Sequence, residues 1–165
     1  MQQQIRKIVQ GMNRVLEGIC VVLLACIVVA AVLQVFTRKV MGNSMVGTEE
    51  FARYCFIWMS CMGASLCLTN GSHASVSIVK DRLKGKGRHW HGIFCHLIVM
   101  IVCYVMIRYG WELLGIVSRQ SSPTIGIPMN YVYGALPISC VCMMISALAR
   151  IIEEIASIRD KGVIE

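Results

Sequence analysis

The chain of 165 residues is 56% apolar, with a mean hydropathy of +0.66, above the roughly 45–50% apolar content of soluble globular domains. Its net charge of +7 is confined to the two ends and three connectors, leaving long stretches with almost no charge. That pattern excludes a soluble catalytic domain and directs the positive charge to lipid headgroups rather than to nucleic acid.

Residues 1–16 place Ile5, Ile8, Val9, Met12, Val15 and Leu16 at helical spacing, opposite Arg6, Lys7, Gln10, Asn13 and Arg14. This amphipathic segment either lies as an interfacial helix in the headgroup plane or extends the first span. The first uncharged run covers residues 18–37. Twenty residues rising ~1.5 Å each reach roughly 30 Å, the thickness of the hydrocarbon layer. Lipid offers the backbone no hydrogen-bond partner, so the run is helical. It exceeds the apolar segment of a cleavable signal peptide, and similar runs follow at residues 54–72, 92–107 and 131–149. The expectation is an all-α integral membrane protein with one four-helix domain, its spans near residues 15–37, 50–72, 92–117 and 129–150.

In the first connector Gly42, Asn43 and Ser44 signal a turn. Thr48 is then the expected cap of the second helix, with Glu49 and Glu50 in its first turn and Arg53 within reach of both. The second connector, residues 80–91, is basic and broken by glycine. In the third span Arg108 and Glu112 follow the clean apolar run, one turn apart, with Tyr109 and Trp111 between them. Either the helix leaves the membrane there, or the pair is buried against a partner. Pro123, Gly126 and Pro128 predict a fixed irregular turn in the third connector, and Pro137 a kink in the fourth span. Residues 151–165 continue as an amphipathic tail, with Ile151, Ile152, Ile155 and Ile158 opposite Glu153 and Glu154.

Lysine and arginine are asymmetric across these spans. Three ahead of the first span, five in the second connector and three in the tail put eleven on one side, against five on the other. The positive-inside rule then places both termini in the cytoplasm. All nine cysteines fall within the apolar spans, where they are expected as small buried apolar residues rather than as disulfides or a metal site. Gly63, Ala64 and Ser65, with Ala25, Ala30 and Ala31, are expected to form small-residue surfaces for close helix packing.

Two other functions fit four membrane helices. A haem protein needs facing histidines at one depth, and the candidates are His73, His89, His91 and His96, of which only His96 falls inside a span. A small multidrug-type antiporter uses a mid-membrane glutamate, whereas Glu17 stands at the edge of span one. No Ser/His/Asp arrangement, phosphate-cradling loop or metal-ligand spacing is evident in the sequence.

The order of motifs resembles a known family, the small DctQ-like membrane subunit of TRAP (tripartite ATP-independent periplasmic) transporters. The likeness is carried by Arg38, Glu49–Glu50, Arg53, Trp58, Gly63–Ala64 and His73, and then by SSPTIGIP followed by Tyr131 and Pro137. It spans residues 15–152. The chain departs from the family pattern at Val46–Gly47–Thr48, where an aromatic is common, and at Ser75 and Ser77, where an acidic residue is common. The resemblance implies a non-catalytic scaffold in the bacterial inner membrane. Its partners would be a large elevator-type subunit of about a dozen helices, which binds substrate and sodium, and a periplasmic binding protein that delivers an organic anion such as a C4-dicarboxylate or sialic acid. It implies no cofactor in this chain. Arg38, Glu49, Glu50, Arg53, Trp58, Gly63, His73, Ser122, Pro123, Ile127, Pro128 and Tyr131 become candidates for contact with those partners, joined by Arg108 and Glu112 from the charge pattern.

Overall fold

In the computed structural model the described residues are 2–40, 42, 46–69 and 86–161. His73, Ser75, Ser77, Asn43, Ser44 and basic residues 80–84 of the second connector lie outside them. The helices are α1 (Gln2–Val40), α2 (Val46–Thr69), α3 (Lys86–Val117), α4 (Met129–Tyr133) and α5 (Ala135–Lys161). There is no β-strand among the described residues. Four helical stretches are long and apolar enough to cross a membrane: Lys7–Val40, Val46–Thr69, Trp90–Val117 and Met129–Ile155.

The amphipathic N-terminal segment is continuous with the first span, because α1 runs unbroken for 39 residues. Two local expectations change. Helix α2 begins at Val46, so Thr48 stands in its first turn rather than at the cap. Residues 86–91, read as connector, already belong to α3. The same helix passes Arg108 without interruption and ends at Val117.

Pro137 acts through its missing N–H. A proline ring clashes with the carbonyl four residues back, which here belongs to Tyr133, the last residue of α4. Gly134 keeps helical angles (φ −61°, ψ −21°) and bridges the break: its N–H bonds to the Asn130 carbonyl at 2.9 Å, and Ile138 N–H bonds back to Gly134 at 3.3 Å. The fourth span is therefore α4 and α5 joined through Gly134. Opposite Pro137 lies Gly110, where an added Cβ would already touch the proline ring at 3.7 Å.

Among the described residues the helices form an open row, not a closed bundle. Helix α1 packs on α2 and, more lightly, on α5; α2 packs on α5 and α5 on α3, while α3 contacts neither α1 nor α2. The fourth span is the hub, with 39% of its membrane window buried against 6% for the first span. Apolar side chains gain nothing by leaving lipid, so interhelical contact falls where small residues permit close approach. Ser65 and Ser146 are completely buried where α2 crosses α5, and Ala147 is completely buried beside them in α5.

The expected small-residue surfaces are corrected accordingly. Successive helix positions turn by about 100°, so Gly63, Ala64 and Ser65 point three ways. Ser65 faces the core, Ala64 is exposed, and nothing lies within 4 Å of a Cβ placed on Gly63. Ala30 is buried while Ala25 and Ala31 are exposed. The cysteines likewise divide: Cys55, Cys103 and Cys140 are buried, Cys67 is exposed and the other five are half-buried.

Candidate functional site at the junction of the second helix and the third connector

The third connector is a small hairpin. Ser121 pairs with Pro128 in an antiparallel bridge, Ser122 N–H bonds the Ile127 carbonyl at 2.9 Å, and Met129 N–H bonds the Gln120 carbonyl at 2.9 Å. Gly126 takes φ +76° at its tip, a conformation costly for a residue with a Cβ, and donates to the Ser122 carbonyl at 3.2 Å. Ser122 is buried, and its hydroxyl accepts the Ile125 N–H at 3.2 Å.

Glu50 ties this hairpin to α2. One carboxylate oxygen accepts the N–H groups of Thr124 and Ile125, both at 3.2 Å, and the other accepts the Tyr54 hydroxyl at 2.5 Å. Tyr54 lies one turn further along α2, where its hydroxyl also approaches the Met129 sulfur at 3.7 Å. Gly47 completes the contact, since a Cβ there would meet Ile125 and Thr124 at 3.8 Å. Two segments 74 residues apart are thus held by one ionised acceptor, the stronger kind of hydrogen bond.

The acidic pair divides its work. Glu49 turns outward and binds Arg53 at 3.1 Å, with both side chains more than half exposed. Pro123, Pro128 and Tyr131 are exposed and Ile127 is half-buried, so the hairpin presents its outer edge beside Glu49. Arg38 is exposed in the last turn of α1, and Trp58 is half-buried along α2. The junction gathers Glu49, Glu50, Arg53 and the hairpin; Trp58 and Gly63 stand further along α2, outside it.

Arg108 and Glu112 face each other at 3.9 Å with side chains 69% and 62% exposed, so the rest of this chain does not bury them. A pair that the chain leaves uncovered at this spacing contributes little to the fold. Arg108→Ala or Glu112→Ala should change the unfolding free energy of the isolated chain in detergent by no more than about 0.5 kcal/mol. Detergent-titrated unfolding followed by circular dichroism checks this, and a larger loss would assign the pair a fold-holding part.

At the other end of α2 a polar cluster appears that the charge count reads only as topology. Arg150 donates to the Thr69 carbonyl at the last residue of α2, and also reaches Glu153 at 3.4 Å. A cation on an orphan C-terminal carbonyl satisfies both the hydrogen bond and the helix dipole. The Thr69 hydroxyl lies 2.9 Å from that of Ser146 and 3.1 Å from the Ser65 carbonyl. Gly92 leaves room beside Glu154, whose carboxylate would lie 3.2 Å from an added Cβ. No periodicity within one helix signals that Arg150 reaches the end of another. His96, the haem candidate inside a span, bonds through Nδ1 to the Gly92 carbonyl of its own helix at 2.7 Å.

Comparison with known proteins bears on what this architecture belongs to. Residues 12–157 match the family profile described as tripartite ATP-independent periplasmic transporters, DctQ component. A Haemophilus influenzae chain provisionally designated a TRAP transporter small permease protein is 27% identical, with 91% of this chain and 93% of that one aligned. The Vibrio cholerae sialic acid TRAP transporter small permease protein SiaQ is 25% identical, over 90% of this chain and 84% of its own length. The isethionate TRAP transporter permease protein DctMQ of Oleidesulfovibrio alaskensis is 30% identical over 62% of this chain, which is only 16% of that longer protein. With residues 12–157 matched, which take in three of the four apolar helices whole and nearly all of the first, this chain belongs to the DctQ family, the small permease component of tripartite transporters, and is a transport subunit rather than an enzyme.

Proposed function

We propose that this chain is the fixed scaffold subunit of a sodium-coupled transporter for an organic anion, with both termini in the cytoplasm. The observation that carries the reading is the open row of helices: α3 packs on the fourth span alone, α1 on α2 and lightly on α5, and each leaves its remaining surface to lipid or protein. Such a row widens the anchored body of a transporter in the bacterial inner membrane. Substrate and sodium sites belong to the large permease partner, and the periplasmic binding protein supplies the substrate. Relatives named for sialic acid and for isethionate point to an organic anion as cargo.

Eleven cytoplasmic against five external lysines and arginines support the orientation. In that orientation the Glu50 junction is external, and residues 48–53 with residues 121–131 form one surface on which a binding protein can dock. Affinity purification of the C-terminally tagged chain from its own membrane in mild detergent should recover a larger, highly hydrophobic permease in stoichiometric amount. The tag should also resist protease added outside spheroplasts. A chain recovered alone, as a homodimer or with a haem absorption band overturns the scaffold reading; a cleaved tag inverts the topology.

A further inference from the structure

Helices α1 and α3 form the two flanks of the row, and their uncovered faces differ in chemistry. Between residues 18 and 37 the exposed face of α1 is apolar throughout, with Val21, Val28, Val32, Val35 and Phe36 each more than half exposed. The polar Thr37 is buried there and bonded to the Leu33 carbonyl of its own helix at 2.9 Å. Such a face satisfies lipid.

Helix α3 is otherwise. Between residues 90 and 117 its buried positions are Gly92, Cys103, Gly110 and Val117, and their spacing of eleven and seven residues puts them on the one side that meets α5. Residues two positions away, such as Ile101 against Cys103, are rotated by about 200°. From that far side round to the adjoining flank, Phe94, Leu97, Ile101, Tyr104, Arg108 and Trp111 follow alternating spacings of three and four, the repeat of a helix seam that receives a second helix. All six are exposed, with Tyr104 at 64% and Trp111 at 70%.

Depth decides what covers the seam. Trp90, 68% exposed, and Trp111 stand 21 residues apart, or about 31 Å of helix, which matches two interfacial anchors across the hydrocarbon. Arg108 then lies about 4.5 Å inside the Trp111 level and Tyr104 about 10 Å inside it. Side chains tilt toward the helix N-terminus, so Tyr104 leans further into the membrane. A phenol at that depth, and a guanidinium with five donors of which one carboxylate 3.9 Å away accounts for few, require partners that acyl chains lack.

We propose that this side of α3 seats a transmembrane helix of the large permease, which supplies acceptors to Tyr104 and Arg108, while α1 faces lipid. The inference rests on the scaffold reading above. The occupant is taken as the large permease, not a second copy, because in the DctMQ relative the matching segment is continuous with a far longer permease chain.

The test places the photoreactive residue p-benzoyl-phenylalanine at Leu97, Ile101 or Tyr104, and at Val21, Val28 or Val32, in the full complex in native membranes. Irradiation should join the chain to the large permease from the α3 positions and not from the α1 positions. Adducts from α1 in equal or greater yield overturn the proposal. So do α3 adducts between two copies of this chain, or no α3 adduct while the unmodified chain still co-purifies with the large permease. If the unmodified chain does not co-purify with it, the scaffold reading itself fails.

Discussion

Trypsin is expected to cut after Arg119 about ten times faster in a Glu50→Ala chain than in the parent, because each bond to an ionised acceptor that is lost favours local opening of the connector. Arg119 is exposed beside the hairpin, so cleavage there reports how often the hairpin lifts from α2. Glu50 accepts from Thr124, Ile125 and Tyr54, and its removal leaves the connector held mainly by its own bridge, the Ser122–Ile125 bond and the Gly47 contact. Glu50→Gln keeps a neutral acceptor oxygen and should fall between the two. Glu49→Gln, which disturbs only the exposed bond to Arg53, should cut at the parental rate. Equal rates for all three variants would show that Glu50 does not hold the connector. The same division separates docking from folding. Glu49→Lys should leave proteolysis unchanged and lower binding-protein-dependent uptake; undiminished uptake would reduce Glu49 to helix capping.

The second large effect is expected at the α2–α5 crossing. Ser146 is completely buried, as is Ser65 across from it, and the Thr69 hydroxyl bridges the two helices. Ser146→Leu replaces one heavy atom by three where no space is left and should cost about 2–3 kcal/mol, by forcing the helices apart. It also displaces Thr69 relative to Arg150, so the cap on the end of α2 is lost in the same step. Ser146→Ala removes only the interhelical hydroxyl contact and should cost about 0.6 kcal/mol, the average for such bonds in membrane proteins. Unfolding in mixed micelles with rising dodecyl sulfate measures both. A leucine variant as stable as the alanine variant would mean that the crossing is looser than its burial indicates.

The comparison of sequence with structure is instructive at particular residues. Pro137 and the Pro123–Gly126–Pro128 cluster act where they stand, since ring closure and a positive φ are local constraints. Glu49 and Glu50, adjacent in the chain and alike in charge, take different partners because a helix turns about 100° between them. Only Glu50 then points at a hairpin whose position depends on where the fourth span packs. Gly63 illustrates the converse: a small residue within a span marks a place where a neighbour fits, but not that this chain provides the neighbour.

What the sequence by itself determined is the set of membrane helices and the family, because a bilayer accepts only backbone that satisfies its own hydrogen bonds, and uncharged runs of span length therefore become helices. What only the tertiary structure decided is which faces meet: the open row with the fourth span at its hub, the Glu50 clamp, the Arg150 cap, and the exposed seam on α3. The reason lies in the solvent. Apolar side chains are equally content against lipid and against protein, so apolar pattern marks a span but cannot choose its neighbours, and that choice falls to small residues and polar groups far apart in the chain.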